Sequence, residues 1–124
     1  MSGNSLLIDS NIILYLLNGD DTLIPILEEK ELYISFITQL EVLSYHGLSD
    51  SEMKNAQDFI NDCVIIEMAP YIKEYTIKFR RQKKLKLPDA IIAATSAFIN
   101  VPLVTADKDF KRLEEELELI FYKK

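Results

Sequence analysis

Four acidic residues lie beside short apolar segments instead of in a solvated run of charge. They are Asp9, Glu41, Asp89 and Asp107. Clustered carboxylates repel one another and raise one another's pKa values, and a hard divalent cation removes that repulsion. Mg²⁺ takes oxygen ligands and keeps several waters, which leaves positions for a phosphate. Such a cation polarises a phosphoryl oxygen and lowers the pKa of a bound water. If these four residues meet in space, they could therefore support metal-dependent hydrolysis of a phosphodiester.

Three of the four also have a purely structural interpretation. Asp9, Asp89 and Asp107 each stand at the start of a predicted helix, where an N-cap or the helix dipole explains an aspartate. Glu41 is different because it lies among apolar residues of its helix, with no Lys or Arg within a turn. A carboxylate near an apolar face carries a desolvation cost unless it has a partner. We expect a metal ion or a proton to be that partner.

The sequence offers little for catalysis by a side-chain nucleophile. His46 is the only histidine, and we expect it at the surface near a helix end. Cys63 is the only cysteine, so it forms neither an internal disulfide nor a thiolate cluster. We interpret it as a small buried apolar residue in a chain that works in a reducing cytoplasm.

The apolar pattern places the four acids at the ends of predicted elements. Strands are predicted at residues 6–8, 32–35, 64–66, 103–104 and 119–121, and helices at 12–17, 22–29, 36–46, 50–61, 72–84, 90–99 and 107–113. Alternating strands and helices predict one α/β domain over residues 1–124, a three-layer α/β/α sandwich with a central, mostly parallel five-stranded sheet. Ligands bind past the carboxyl ends of strands in such sheets. The four acids could therefore converge at one end.

Charge and hydropathy narrow the class of protein. The formal net charge of −6 argues against a general nucleic-acid binder. Five basic residues nevertheless lie within seven positions: Arg80, Arg81, Lys83, Lys84 and Lys86. We expect no membrane span, because no apolar run is long enough, and no signal peptide, because the first five residues lack a basic region. A cytoplasmic location is the expectation.

Four segments carry a resemblance to a known family. They are LLIDSNII at 6–13, ISFITQLEVL at 34–43, LPDAIIAA at 87–94 and PLVTADKDF at 102–110. In this order and spacing the chain resembles the PIN domain family, and within it the VapC-type toxins of bacterial toxin–antitoxin pairs. Each segment alone is a weak signal, whereas the four in order are a strong one.

The resemblance implies an endoribonuclease that depends on Mg²⁺ or Mn²⁺, with one or two ions. Asp9, Glu41 and Asp89 match the family's best-kept acids, and Asp107 matches the fourth, a role that Asp109 could share. The resemblance also implies that other residues assist. Ser10, Asn11 and Thr105 match polar positions that support the acids. The five basic residues at 80–86 could bind RNA phosphates, although a solvated helix face explains them as well.

The resemblance further implies partners. We expect a structured RNA substrate such as tRNA or ribosomal RNA, a homodimer, and a cognate antitoxin that places an arginine in the acidic groove. Two alternatives stay open. One is a PIN nuclease for RNA processing that has no antitoxin. The other is a non-enzymatic, acidic α/β metal-binding module, although the third strand is not followed by the aspartate that a receiver-like domain phosphorylates.

Overall fold

A single parallel sheet organises the chain, and the computed structural model describes residues 3–123. Its strands are β1 (Ser5–Ile8), β2 (Glu31–Ser35), β3 (Val64–Ile66), β4 (Leu103–Thr105) and β5 (Leu119–Phe121). They lie in the order β3-β2-β1-β4-β5, and every neighbouring pair is parallel. The predicted five-stranded sheet is therefore confirmed. We expected it to be mostly parallel, and within the described residues it is fully parallel.

Strand β1 lies at the centre because both of its faces are apolar. Leu7 and Ile8 are fully buried and point to opposite sides of the sheet, as successive residues of a strand do. Leu7 belongs to an apolar cluster that also contains Ile72 and Phe79, and Ile8 belongs to a second cluster with Ile60. A strand buried on both faces is typical of parallel sheets between two helix layers. This arrangement confirms the α/β/α sandwich.

Helices connect the strands and cover both faces of the sheet. They are α1 (Ser10–Leu17), α2 (Ile24–Leu27), α3 (Phe36–Leu43), α4 (Asp50–Asn61), α5 (Pro70–Lys83) and α6 (Leu87–Ile99), with 3₁₀ turns at Asp21–Leu23 and Lys108–Leu113. Helices α5 and α6 supply residues to the cluster around Leu7, whereas α1 and α4 supply residues to the cluster around Ile8. No helix within residues 3–123 is long and apolar enough to cross a membrane.

Several predicted boundaries differ from the structure. The helix predicted at 22–29 is a 3₁₀ turn followed by the four-residue α2, and Glu29 takes a left-handed conformation with φ 62°. The helix predicted at 36–46 ends at Leu43. Helix α5 begins at Pro70, two residues early, because proline suits the first turn of a helix. The segment predicted as a helix at 107–113 is 3₁₀ in character.

Candidate active site

The pairing of β1 with β4 brings the first of the predicted site residues together. Asp9 follows β1 directly, and its backbone N–H donates to the carbonyl of Val104 at 3.1 Å. Its carboxylate is only 4% exposed. One oxygen accepts from the backbone N–H of Ser10 and the other from the hydroxyl of Thr105, each at 2.7 Å. A carboxylate oxygen has two lone pairs, so each oxygen keeps one for a further partner.

Thr105 links the end of β1 to the segment that follows β4. Its buried hydroxyl donates to Asp9 and accepts from the backbone N–H of Asp107 at 3.1 Å. The carboxylate of Asp107 in turn accepts from the backbone N–H of Asp109 at 2.9 Å, which makes it the N-cap of the following 3₁₀ turn. Thr105 therefore links Asp9 to the backbone of Asp107 through two hydrogen bonds.

Ser10 connects Asp9 to Glu41 in the same way. Its backbone N–H bonds Asp9, and its hydroxyl donates to Glu41 Oε1 at 2.6 Å. The prediction that Glu41 lies near an apolar helix face is wrong, however. Glu41 is exposed, because the buried residues of α3 are Thr38 and Val42 and the neighbouring Leu40 is 55% exposed. Glu41 therefore escapes the expected desolvation, and it joins the site through Ser10.

Three further carboxylates form the other side of the site. Asp89 lies in the first turn of α6, and Asp107 and Asp109 follow β4. One oxygen from each lies within 4.8 Å of the other two, and all three residues are half-buried. Asp109 also forms an ion pair with Arg112 at 3.6 Å, which Asp89 and Asp107 do not share.

Electrostatics couple the two sides. Burial raises the pKa of Asp9 from 3.8 to about 6 against the lowering effect of its bonds from Thr105 and Ser10, and the charges of Glu41 and Asp107 raise it further. Burial likewise raises the pKa of Asp89 to about 6, and the charges of Asp9, Asp107 and Glu41 add to it. Because all four acids contribute to these two environments, the structure brings together the set that the sequence singled out. We name Asp9, Glu41, Asp89 and Asp107 the acid cluster.

The residues fit a hard divalent cation. The available ligand atoms are carboxylate oxygens, the ligands that Mg²⁺ and Mn²⁺ prefer. Two basic side chains stand close in the described structure: Lys86 lowers the pKa of Asp89, and Arg112 pairs with Asp109. Both are exposed, so they neutralise little of the buried charge. A cation would compensate the buried negative charge and remove the mutual repulsion, which together raise the pKa values of Asp9 and Asp89 to about 6.

The remaining predicted residues form no side-chain hydrogen bond or ion pair with the four acids within residues 3–123. Asn11 is exposed, and its side chain forms no hydrogen bond within the described part of the chain. Lys83 pairs with Glu116 at 3.4 Å. The other four residues of the basic run are exposed: Arg80, Arg81, Lys84 and Lys86. Of these four, only Lys86 shifts the pKa of one of the acids, Asp89. Their part in RNA binding stays a prediction.

The structure gives no support to a nucleophilic side chain. His46 is exposed at the end of α3, against the ring of Tyr45. Cys63 is half-buried, and its thiol donates to the carbonyl of Phe59 at 3.4 Å. Burial raises the pKa of the Cys63 thiol to about 11. At neutral pH the nucleophilic thiolate is therefore scarce.

Two residues near the site were not predicted from the sequence. Arg112 lies three residues after Asp109, a spacing that allows an ion pair on a helical turn and could have been noticed. Thr38 lies in α3, one turn before Glu41, and is fully buried. Its hydroxyl has no hydrogen-bond partner among residues 3–123. No sequence signal distinguishes such a threonine from an ordinary helical one.

Comparison with known proteins decides the family. The PIN domain family model matches residues 6–116. The chain belongs to the PIN domain family. This PIN domain is similar to a structure described as a toxin–antitoxin complex from Klebsiella pneumoniae, with 29% identity and a TM-score of 0.83 over 96% of this chain and 99% of that one. No curated protein matches it significantly.

Two more distant structures share the fold of this PIN domain. VapBC2 from Rickettsia felis, bound to a DNA fragment from its promoter, is 22% identical with a TM-score of 0.79 over 96% of this chain and 99% of that one. DNA-bound VapBC from Salmonella typhimurium is 15% identical with a TM-score of 0.80 over 94% of this chain and 97% of that one. The predicted family and the predicted fold are thereby confirmed.

Proposed function

We propose that this PIN domain is a divalent-metal-dependent endoribonuclease and the toxin of a VapBC-type pair. The observation that carries the proposal is the convergence of Asp9, Glu41, Asp89 and Asp107 at the carboxyl ends of β1 and β4. Membership of the PIN domain family supports nuclease chemistry. The similar toxin–antitoxin complex from Klebsiella pneumoniae supports the biological class.

Carboxylate oxygens of the four acids would hold the ion. Asp89 and Asp107 would bind it together with Asp9 and Glu41, and Asp109 lies close enough to Asp89 and Asp107 to share it. When bound, Mg²⁺ or Mn²⁺ supplies positive charge and activates water for attack on phosphorus, with one or two ions present. Hydrolysis forms a bond from phosphorus to the water oxygen and breaks the bond to the leaving ribose oxygen, which takes up a proton.

Ser10 and Thr105 position the acids before any ligand arrives. Ser10 donates its hydroxyl to Glu41 and Thr105 donates its hydroxyl to Asp9, which restricts the orientation of both carboxylates and leaves lone pairs for a further partner. Hydrogen bonds to charged groups are also stronger than those between neutral groups. The bonds that Asp9 accepts from the Thr105 hydroxyl and the Ser10 backbone N–H lower its pKa, against the larger raising effect of its burial.

The proposal includes partners. A cognate antitoxin is expected, and an arginine from it would pair with the negative charge around Asp89. The substrate is expected to be structured RNA, tRNA or ribosomal RNA. The expected homodimer would cover apolar side chains that α5 and α6 leave exposed, among them Ile77 (60%) and Phe98 (41%).

The decisive experiment is RNA cleavage by the purified full chain. We expect cleavage with Mg²⁺ or Mn²⁺, none in EDTA, and none for Asp89→Asn. The matched control is Asp58→Asn, which changes an aspartate whose side chain is 63% exposed on α4. Both variants should keep an unchanged circular dichroism spectrum. Full activity in EDTA would contradict the metal mechanism.

Two results would favour the alternatives. Metal binding without cleavage of any cellular RNA would favour a binding module. Cleavage by a protein whose gene has no neighbouring short reading frame for a DNA-binding antitoxin would favour an RNA-processing nuclease. A map of RNA ends after brief expression would name the substrate.

A further inference from the structure

A groove of about 470 Å³ opens beside the acid cluster, at the carboxyl ends of β4 and β5. Three aromatic rings and three ammonium groups line it: Tyr15, Phe121, Tyr122, Lys108, Lys111 and Lys123. We name it the β4–β5 groove. Neither the acid cluster nor the basic run at 80–86 contributes a residue to this lining.

The register of the sheet places this groove next to the proposed catalytic acids. Phe121 pairs with Thr105 across β4 and β5, and Thr105 donates its hydroxyl to Asp9. Neighbouring strands lie about 4.8 Å apart. Lys108 directly follows Asp107 in the chain. A ligand in the groove is therefore one strand away from the acids.

The aromatic side of the groove is held in place before a ligand binds. The hydroxyl of Tyr122 donates to Asp20 at 2.6 Å, and its ring packs against Tyr15 with centroids 6.3 Å apart. The backbone N–H of Tyr122 donates to the carbonyl of Thr105 at 2.8 Å. Phe121 is 37% exposed. Fixed aromatic faces cost little conformational entropy when a planar ligand stacks on them.

The lysines add positive charge to an otherwise acidic chain. All three are exposed, and none forms an ion pair with a carboxylate in the described structure. The ammonium of Lys111 lies 5.3 Å from the centroid of the Phe121 ring, so charge and aromatic surface are presented together. Three uncompensated ammonium groups attract phosphate despite the net charge of −6.

We propose that the β4–β5 groove binds one nucleotide of single-stranded RNA next to the scissile bond. Its base would stack on Phe121 or Tyr122, and its phosphates would contact Lys108 and Lys111. Stacking surfaces combined with a basic groove are how proteins bind single strands. Recognition of RNA as the ligand rests on the proposed function. The groove is continuous with the acid cluster, which favours a nucleotide over a peptide as the ligand. A single-stranded RNA bound in the groove would place its next phosphate near Asp107.

The test measures binding separately from cleavage. Full-length protein carrying Asp89→Asn is titrated into a fluorescent single-stranded RNA with Mg²⁺ present. Adding Phe121→Leu keeps an apolar side chain but removes the stacking face, and we expect Kd to rise between about fivefold and about 150-fold. Phe59→Leu is the matched control, because Phe59 is a half-buried aromatic residue on α4, away from the groove, and it should leave Kd unchanged.

A second pair of variants tests the charge. Lys111→Gln should lower the slope of log Kd against log salt by about 0.7, the value for one phosphate contact with a single strand. Lys73→Gln removes an exposed lysine of α5 and should not change the slope. An unchanged slope for Lys111→Gln would overturn the phosphate contact.

A probe with a single missing base separates stacking from general weakening. An RNA with one abasic position should bind the parent protein more weakly than the intact RNA does. The Phe121→Leu variant should bind both RNAs equally well, because the missing base and the missing ring remove the same contact. Equal losses in both proteins, or unchanged affinity for Phe121→Leu, would overturn the proposal and indicate a groove for a protein partner. Absence of RNA cleavage by the unaltered chain would overturn the proposed function alone, since the binding comparison does not depend on it.

Discussion

Replacing Asp9 with asparagine should stabilise the metal-free protein at neutral pH. Asparagine has nearly the same shape as a protonated aspartate, and neither side chain is charged. Asp9 is only 4% exposed, so its negative charge is buried at the end of β1. The pKa of Asp9 rises from 3.8 to about 6 on folding. That rise corresponds to about 3 kcal/mol of free energy of unfolding lost when the carboxyl ionises.

The sign of the pH dependence follows from the direction of the shift. A raised pKa means that the folded state binds the proton more tightly than the unfolded state does. The penalty is therefore absent below about pH 3.8, grows as the pH rises, and is complete above about pH 6. Asp9→Asn should exceed the unaltered protein in stability by about 3 kcal/mol at pH 7.5 and match it at pH 3.5.

Urea unfolding followed by circular dichroism in EDTA, at several pH values, measures this difference. Asp58→Asn provides the control, since that carboxylate is exposed. Adding Mg²⁺ at a hundred times its Kd should raise the stability of the unaltered protein by about 2.7 kcal/mol and that of Asp9→Asn by less. If Asp9→Asn is less stable at pH 7.5 in EDTA, or if its advantage does not change with pH, burial of an uncompensated charge is the wrong account of this site.

Two further predictions compare neighbouring residues. Asp107→Asn should reduce RNA cleavage more than Asp109→Asn, because Asp109 is partly neutralised by Arg112; initial rates at saturating Mn²⁺ test this, and the reverse order would assign the fourth acid to Asp109. Thr38→Val should raise the free energy of unfolding by about 1 kcal/mol, since it removes a buried hydroxyl without a partner among residues 3–123. Thr95→Val should lower it by about 1 kcal/mol, because that hydroxyl donates to the carbonyl of Ile91; equal effects in urea unfolding would contradict the distinction.

The alternation of strands with helices and the positions of two of the acids follow from features that a sequence carries directly. Apolar runs such as 6–8 are buried on both faces, and an acid directly after such a run must lie at the carboxyl end of the sheet. Asp9 and Asp107 were therefore placed correctly from local pattern. Local pattern indicates Asp89 less clearly, because the helix dipole explains an aspartate in a helix's first turn equally well, and the family resemblance strengthened its assignment.

Burial of individual polar side chains was not predictable in the same way. Glu41 was expected on an apolar face, yet the helix turns that side outwards, a rotation set by how α3 packs on its neighbours. The β4–β5 groove depends on Phe121 and Tyr122 lying beside Lys108 and Lys111, which precede them by ten or more positions in the chain. Such proximity comes from the β4–β5 pairing, and no spacing in the chain records it.

The strand order has a consequence for synthesis. The chain builds β1, β2 and β3 from its first half, then crosses back over the sheet through α5 and α6 to insert β4 beside β1. Until that insertion Asp9 has no bond from Thr105 and stands apart from Asp89 and Asp107. Domains assemble during translation in the order in which their parts emerge, and contacts between distant segments form late. A ribosome-bound fragment that ends before β4 therefore carries three of the four acids without Thr105 and Asp107, and the proposed activity is expected only after β4 has emerged and paired with β1.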